Sequence, residues 1–279
     1  MLPARRAERR PAVSPTLPDI TSRRHPLVQA ARDARTGGAD QPLLLDGWHL
    51  LVEAVAAGLA VDAVVVDRAP ADAAAARALD ALTRGGAQVR RASADLLQAM
   101  SPVRTPSGVV ALARRPEMSL ARVFAAAPAF VLAALDVQDP GNMGALVRTA
   151  EAAGATGVVA VGASADPLGW KALRASMGSA FRMPLARVDS IGAVVDAARA
   201  VRSTVVALVP RDGAAPEAID AARPVLLVMG GEGPGLPPEV VAGADLAVTL
   251  PMRPPVESLN VAVAGALALY AVAARRPAR

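Results

Sequence analysis

Five continuous apolar runs recur through the second half of the chain: Phe130–Leu135, Gly157–Val161, Thr204–Val209, Val225–Met229 and Leu246–Leu250. A strand that is apolar on both sides must be covered on both sides. Such runs, alternating with stretches of helical period, predict an α/β domain built on a parallel sheet with helices on each face. The pattern also says where a ligand would sit, because open α/β sheets bind beyond the carboxyl ends of their strands. The first half carries a smaller version of the same alternation. "PLLLDG" (Pro42–Gly47) reads as a strand and turn, "WHLLVEAVAAG" (Trp48–Gly58) as a helix stopped by Gly58, and "DAVVVD" (Asp62–Asp67) as a buried strand. Ala69–Leu82 reads as a helix ended at Gly85-Gly86, and "AQVRRA" and "GVVALA" as further strands. The expected organisation is a smaller α/β domain over residues 25–113, a linker over 114–127 and a larger domain over 128–279. No repeat of fixed period is visible.

Composition narrows the chemistry. The 279 residues are 53% hydrophobic but only 2% aromatic, so the core must be made of Ala, Val, Leu and Met. There is no cysteine, which excludes disulfides, thiolate metal sites and a cysteine nucleophile and fits a reducing cytoplasm. Only His25 and His49 are present, both near the N-terminus, so neither a Ser-His-Asp triad nor a histidine-rich metal site is expected. His49, after Trp48, reads as a partly buried histidine of ordinary structural kind. The net charge of +5 is concentrated in residues 1–24, where six arginines stand against Glu8 and Asp19. That segment reads as a disordered basic arm, either a solvated tail or a contact for an anionic polymer such as RNA. The longest apolar run, Val261–Ala274, is too short to span a bilayer and reads as a buried helix.

Three unusual loops fall at predicted strand ends. In the first, "DPGNMGALVRTAEAAG" (Asp139–Gly154), Asn142 reads as a helix N-cap and Gly154 as the helix stop. Met143, Leu146, Val147 and Ala150 form the inward stripe, and Arg148 leans back over Gly144, where the missing side chain is expected to leave open space. Two readings remain: Asn142 only caps and Arg148 only pairs with Glu151 at i+3, or both face a ligand. The second loop, "VMGGEGPGLP" (Val228–Pro237), puts four glycines and Glu232 after a buried strand. Glycines there permit close backbone approach to a ligand, yet neither the dinucleotide fingerprint nor a P-loop fits. That absence counts against a Rossmann-type oxidoreductase. The third, "LPMRPPVESLNVAVAGALALY" (Leu250–Tyr270), is a proline-stiffened loop leading into an apolar helix. Ser258 reads as its cap and Asn260 as part of its first turn, while a hydrolase serine is excluded by the lack of G-x-S-x-G.

Taken together, in this order and spacing, the three loops closely resemble the three signature motifs of the SpoU (TrmH-like) family of the SPOUT superfamily, S-adenosylmethionine-dependent RNA ribose 2′-O-methyltransferases. The match spans Phe130–Ala274, about half the chain, and "KALRASMGSAFRMP" (Lys171–Pro184) resembles the family's segment between the first two motifs. The smaller domain resembles the family's L30e-like RNA-binding domain through "LLLDGWHLLVEAVAAG" and "TPSGVVALARRP", with Asp46 where a glutamate is common. Among family branches, the two-domain layout looks most like the ribosomal RNA enzymes, with tRNA as the alternative substrate. A catalytically silent RNA-binding protein on the same scaffold is the alternative in kind.

The resemblance implies a catalytic domain whose C-terminal part is threaded through a deep trefoil knot, and a homodimer with the last helix, about 260–274, at its interface. It implies S-adenosyl-L-methionine as methyl donor, lined by Gly230, Leu250 and Leu259 with Met252 nearby, RNA as partner, and no metal or membrane. Asn142, Arg148, Glu232, Ser258 and Asn260 match the family's catalytic positions. The arginine at the position of Arg148 is proposed in the family as the base. A guanidinium rarely releases its proton, so phosphate binding and stabilisation of the developing alkoxide suit Arg148 better. Asn142 is expected to orient ribose or phosphate, Ser258 and Asn260 to fix the third loop, and Glu232 to shape the second and meet RNA or Arg148. Pro254 departs from the glycine many members carry, which stiffens the third loop and removes a donor.

Overall fold

The computed structural model describes residues 18–276 apart from Ala39 and Pro234. Most of the expected basic arm, residues 1–17, lies outside the described residues. Two sheets organise the rest. The first contains β1 (Asp19–Ile20), β2 (Leu43–Asp46), β3 (Val61–Val66), β4 (Gln88–Ala92) and β5 (Val109–Ala113), in the order β1-β4-β3-β5-β2. It is mixed: β1 and β3 run parallel to β4, whereas β5 is antiparallel to both β2 and β3. Its helices are α1 (Pro26–Ala34), α2 (Trp48–Ala56), α3 (Ala73–Arg84) and α4 (Ala94–Met100). Asp19 and Ile20, expected in the unstructured arm, instead pair along β4, with Ile20 buried. A two-residue strand has no period to read. The α3 helix begins at Ala73, later than expected, because the Asp72 side chain caps it by accepting from Ala75 N–H. His49 is exposed, contrary to expectation; α2 buries Trp48, Leu50, Leu51 and Ala54.

After the short helix α5 (Leu120–Val123) the second sheet follows, with β6 (Phe130–Leu135), β7 (Gly157–Val161), β8 (Leu185–Val188), β9 (Thr204–Leu208), β10 (Val225–Gly230) and β11 (Leu246–Val248). All its pairings are parallel, in the order β11-β9-β10-β6-β7-β8. The helices are α6 (Pro140–Ala152), α7 (Trp170–Ser176), α8 (Ser179–Arg182), α9 (Ile191–Ala200), α10 (Pro238–Ala242) and α11 (Val261–Ala273). The central strands β6 and β10 are buried along almost their whole length, as continuous apolar runs require. The one unread strand, β8, is short, lies at the edge and carries the exposed Arg187, so it lacks the apolar signature of its neighbours.

Packing is close because much of it rests on small residues. A Cβ at Gly144 of α6 would stand 2.6 Å from Ala175 Cβ and run into the Ala172 carbonyl, so α6 and α7 meet backbone to backbone. The space expected beside Gly144 is therefore filled by α7. Gly265 does the same for α11, where a Cβ would overlap Leu146 and approach Met229. The two sheets are not separate bodies: one buried cluster runs from Leu43, Leu45 and Trp48 in the first to Phe130, Met143 and Leu173 in the second. Among the described residues no helix is long and apolar enough to cross a membrane.

Candidate active site

The chain leaves β6 through Asp136, which holds a left-handed backbone (φ 57°) while its Oδ1 accepts from Ala163 N–H at 2.7 Å. A non-glycine residue in that region is strained, and such strain gathers at functional loops. The adjacent strand β10 ends in the glycine loop directly beside it. A Cβ at Gly231 would overlap the Asp136 carbonyl, and one at Gly230 would overlap Gly235. Gly231 and Gly235 also form an antiparallel bridge, so the second loop folds back on itself while lying against the first. Glycine is required here by close approach.

Asn142 is not the N-cap of α6. Asp139 caps the helix, accepting from Asn142 N–H at 2.7 Å, and Pro140 occupies the first helical position, where its missing N–H costs nothing. Asn142 thus sits in the first turn with its amide free for tertiary contacts. Its Nδ2 donates to Glu232 Oε1, and its Oδ1 accepts from Asn260 Nδ2 at 3.2 Å. One side chain therefore cross-ties the first, second and third loops. The third loop also departs from expectation: Asn260, not Ser258, caps α11, its Oδ1 accepting from Ala262 and Val263 N–H at 2.9 and 3.3 Å. Ser258 is exposed.

Between the second and third loops lies a cavity of about 440 Å³, with Asn142 of the first loop outside its lining. Gly230, Leu250, Met252 and Leu259 all line it, as do Glu232, Ser258 and Asn260. Leu208, Val209 and Pro210, at the end of β9, complete one wall. Sequence reading passed over them because their loop has no unusual composition, although their place at a strand end was signal enough. The lining mixes apolar side chains with the backbone of a glycine loop and a few polar groups, and its volume is in the range of small-molecule cofactor pockets, about 300–1,000 Å³. Pro254 is exposed and lies outside this lining. Among the described residues no cluster of three or more His, Asp or Glu is placed to hold a metal ion.

Arg148 stands on α6 beyond Asn142, outside the cavity lining and exposed. Among the described residues it makes no hydrogen bond or ion pair. The alternative of a simple i+3 pair with Glu151 is not realised. Glu151 is taken instead by Arg182, whose Nε and Nη2 donate to its two carboxylate oxygens at 2.7 and 2.9 Å. The hydrogen bond from Arg182 holds the Glu151 carboxyl below its ordinary pKa.

This arrangement has counterparts. A model of the SpoU rRNA Methylase family matches residues 129–270. The chain is 33% identical over 230 residues, 81% of its length and 86% of the relative's, to the Bacillus subtilis 23S rRNA (guanosine(2553)-2′-O)-methyltransferase RlmP. It is 33% identical over 259 residues, 90% of its length and 92% of the relative's, to an uncharacterized tRNA/rRNA methyltransferase of Synechocystis. In structure it is similar to an AdoMet-bound rRNA methyltransferase from Sinorhizobium meliloti, with a TM-score of 0.83, 26% identity, and 93% and 98% of the two chains covered. It is also similar to the SpoU methyltransferase AviRb from Streptomyces viridochromogenes in complex with AdoMet, with a TM-score of 0.79, 27% identity and 90% and 98% coverage.

Proposed function

The chain belongs to the SpoU rRNA methylase family, and we propose that it transfers a methyl group from S-adenosyl-L-methionine to a ribose 2′-hydroxyl of RNA, with 23S ribosomal RNA as substrate. The observation that carries this reading is the strand-end cavity lined by the second and third loops, whose Glu232 and Asn260 are both bonded to Asn142 of the first loop. Its chemistry fits the donor: Leu250 and Leu259 supply apolar walls, Gly230 brings backbone close, and Met252 completes the lining. When bound there, the donor supplies an electrophilic methyl carbon on a sulfonium, which needs no metal activation.

The protein's part is positioning and electrostatics. The Asn142–Glu232–Asn260 chain fixes the rim of the cavity, so that the ribose meets preorganised polar groups. Ser258 stands on the same rim. Arg148, without a competing partner among the described residues, binds the target phosphate and stabilises negative charge developing on the 2′-oxygen. RNA reaches this rim along a cleft of about 320 Å³ lined by Trp170, Lys171 and Arg187 together with Pro140 of the catalytic helix. Lys171 and Arg187 are exposed, and Lys171 Nζ lies 5.4 Å from the Trp170 ring centroid, an arrangement suited to phosphate and base contacts.

The same reading assigns residues 25–113 to RNA binding as an L30e-like domain, residues 128–279 to methyl transfer, and the enzyme to the cytoplasm. It includes the family's trefoil knot. In support, β11 stands at the sheet edge beside β9, whereas α11 packs on α6 and β10 at the centre, so residues 249–260 must cross the strand ends. It includes a homodimer as well: Val263, Leu267 and Tyr270 of α11 are 49%, 50% and 51% exposed along one helical face, an apolar stripe suited to a second copy. The test is incubation with methyl-labelled donor and separated ribosomal and transfer RNA pools, followed by mapping of ribose methylation. Label in 23S RNA at a 2′-oxygen supports the proposal; label confined to tRNA moves the substrate, and none in any RNA overturns it.

A further inference from the structure

Arg148 and Glu151 sit three residues apart on α6, a spacing at which opposite charges normally pair. They do not pair here. Both Glu151 oxygens are engaged by Arg182, which ends α8. The remaining guanidinium nitrogen, Nη1, is bonded to Glu53 Oε2 on α2 of the first domain. Gly178 lets that contact form: a Cβ there would stand 2.7 Å from Glu53 Cβ and Cγ. A bidentate pair holds a carboxylate more firmly than a single-contact i+3 pair does.

We propose that Arg182 is a positioning residue that keeps Arg148 free for RNA by occupying the carboxylate that would otherwise neutralise it. The inference rests on the role of Arg148 given above. Without Arg182, Glu151 regains a partner within reach on its own helix and also repels the approaching phosphate. Both effects weaken RNA binding and leave the donor cavity, which Glu151 and Arg182 do not line, unaltered. The link to Glu53 is a second, separable function that joins the domains.

The experiment compares Arg182→Ala, Glu151→Gln, Glu53→Gln and the double variant Arg182→Ala/Glu151→Gln in RNA methylation at low salt, with donor affinity and thermal unfolding measured in parallel. Arg182→Ala is expected to raise KM for RNA about fivefold with donor affinity unchanged. Glu151→Gln is expected to stay near the parent, and the double variant to return to within about twofold of it. Glu53→Gln breaks the domain link while leaving Glu151 held, and a fivefold KM rise there would overturn the proposal. So would a double variant no better than Arg182→Ala alone, including the case in which both are simply less stable. An active Arg148→Ala variant would instead remove the reading beneath the proposal, so the two failures are distinguishable.

Discussion

The strand-end cavity and the junction between the two sheets are both held by polar side chains, but they are built in opposite ways. At the cavity the ties are exposed or half-buried amides and a carboxylate, Asn142, Glu232 and Asn260, on loops at strand ends. At the junction the central group is Asp46, 4% exposed, which accepts from the Ser101 hydroxyl and lies 3.4 Å from Arg174 of α7. Arg35 closes the neighbourhood by donating to the carbonyls of Ala99, Met100 and Ser101. Buried charge satisfied on several sides fixes a geometry, because breaking it strands a partner away from water. Exposed ties can yield to a substrate at small cost. Rigid electrostatics therefore lie where the two sheets meet, and adaptable electrostatics at the strand-end cavity.

The largest expected effect tests the open side of that contrast. Arg148→Ala should lower methyl transfer by about 10²–10³-fold, the scale for removing a group that stabilises developing oxyanion charge. Donor affinity by calorimetry should stay nearly unchanged, because Arg148 is not in the cavity lining. Retained activity would show that the unpaired guanidinium is only a solvated charge. Next comes Gly231→Ala, which must push the second loop off the Asp136 carbonyl. Overpacking of about 1–3 kcal/mol should appear as donor binding weakened by at least fivefold. Normal donor affinity in this variant would mean that the loops are not locked together.

A smaller effect probes the apolar stripe of α11. Tyr270→Asp and Leu267→Asp place charges on a face that is half-exposed in the protomer, so thermal stability should change by under about 1 kcal/mol. Light scattering should nonetheless report a monomer, and a persistent dimer would put the interface elsewhere.

The smallest effects separate the two carboxylates by sign. Burial raises the Asp46 pKa, against the opposing effects of Ser101, Arg174 and Arg35. The folded state therefore binds this proton more tightly than the unfolded chain, and the contribution of Asp46 is fully present below the ordinary carboxylate pKa and lost as pH rises through its own. Glu151, lowered by Arg182, contributes above the ordinary carboxylate pKa and loses that contribution as pH falls through its own. Denaturant unfolding across the acid range should show stability rising more steeply with pH in Asp46→Asn and less steeply in Glu151→Gln. Equal slopes in the two variants would erase the distinction between the junction and α6.

Much of this was legible in the sequence, and the misses are instructive. The inward stripe of α6, Met143, Leu146, Val147 and Ala150, is fully buried as its spacing requires, and Gly154 ends the helix with φ 73°. The four residues expected to line the donor pocket do line one cavity. Around the site the errors concern partners: the cap of α6 is Asp139, that of α11 is Asn260, Gly144 faces α7 and not open space, and Glu151 is bonded 31 residues away.

The parallel sheet, the buried helix faces and the three loops at strand ends are written in the chain itself. These follow from hydrophobic period and glycine placement, both local properties that repeat along the chain. Which carboxylate Arg182 holds, which amide joins the loops and that Arg148 has no partner among the described residues all depend on packing between distant segments. A polar group near the surface has several possible partners of similar energy within reach of its own helix. Close approach of distant backbones, here made possible by glycines at 144, 178 and 231, selects among them.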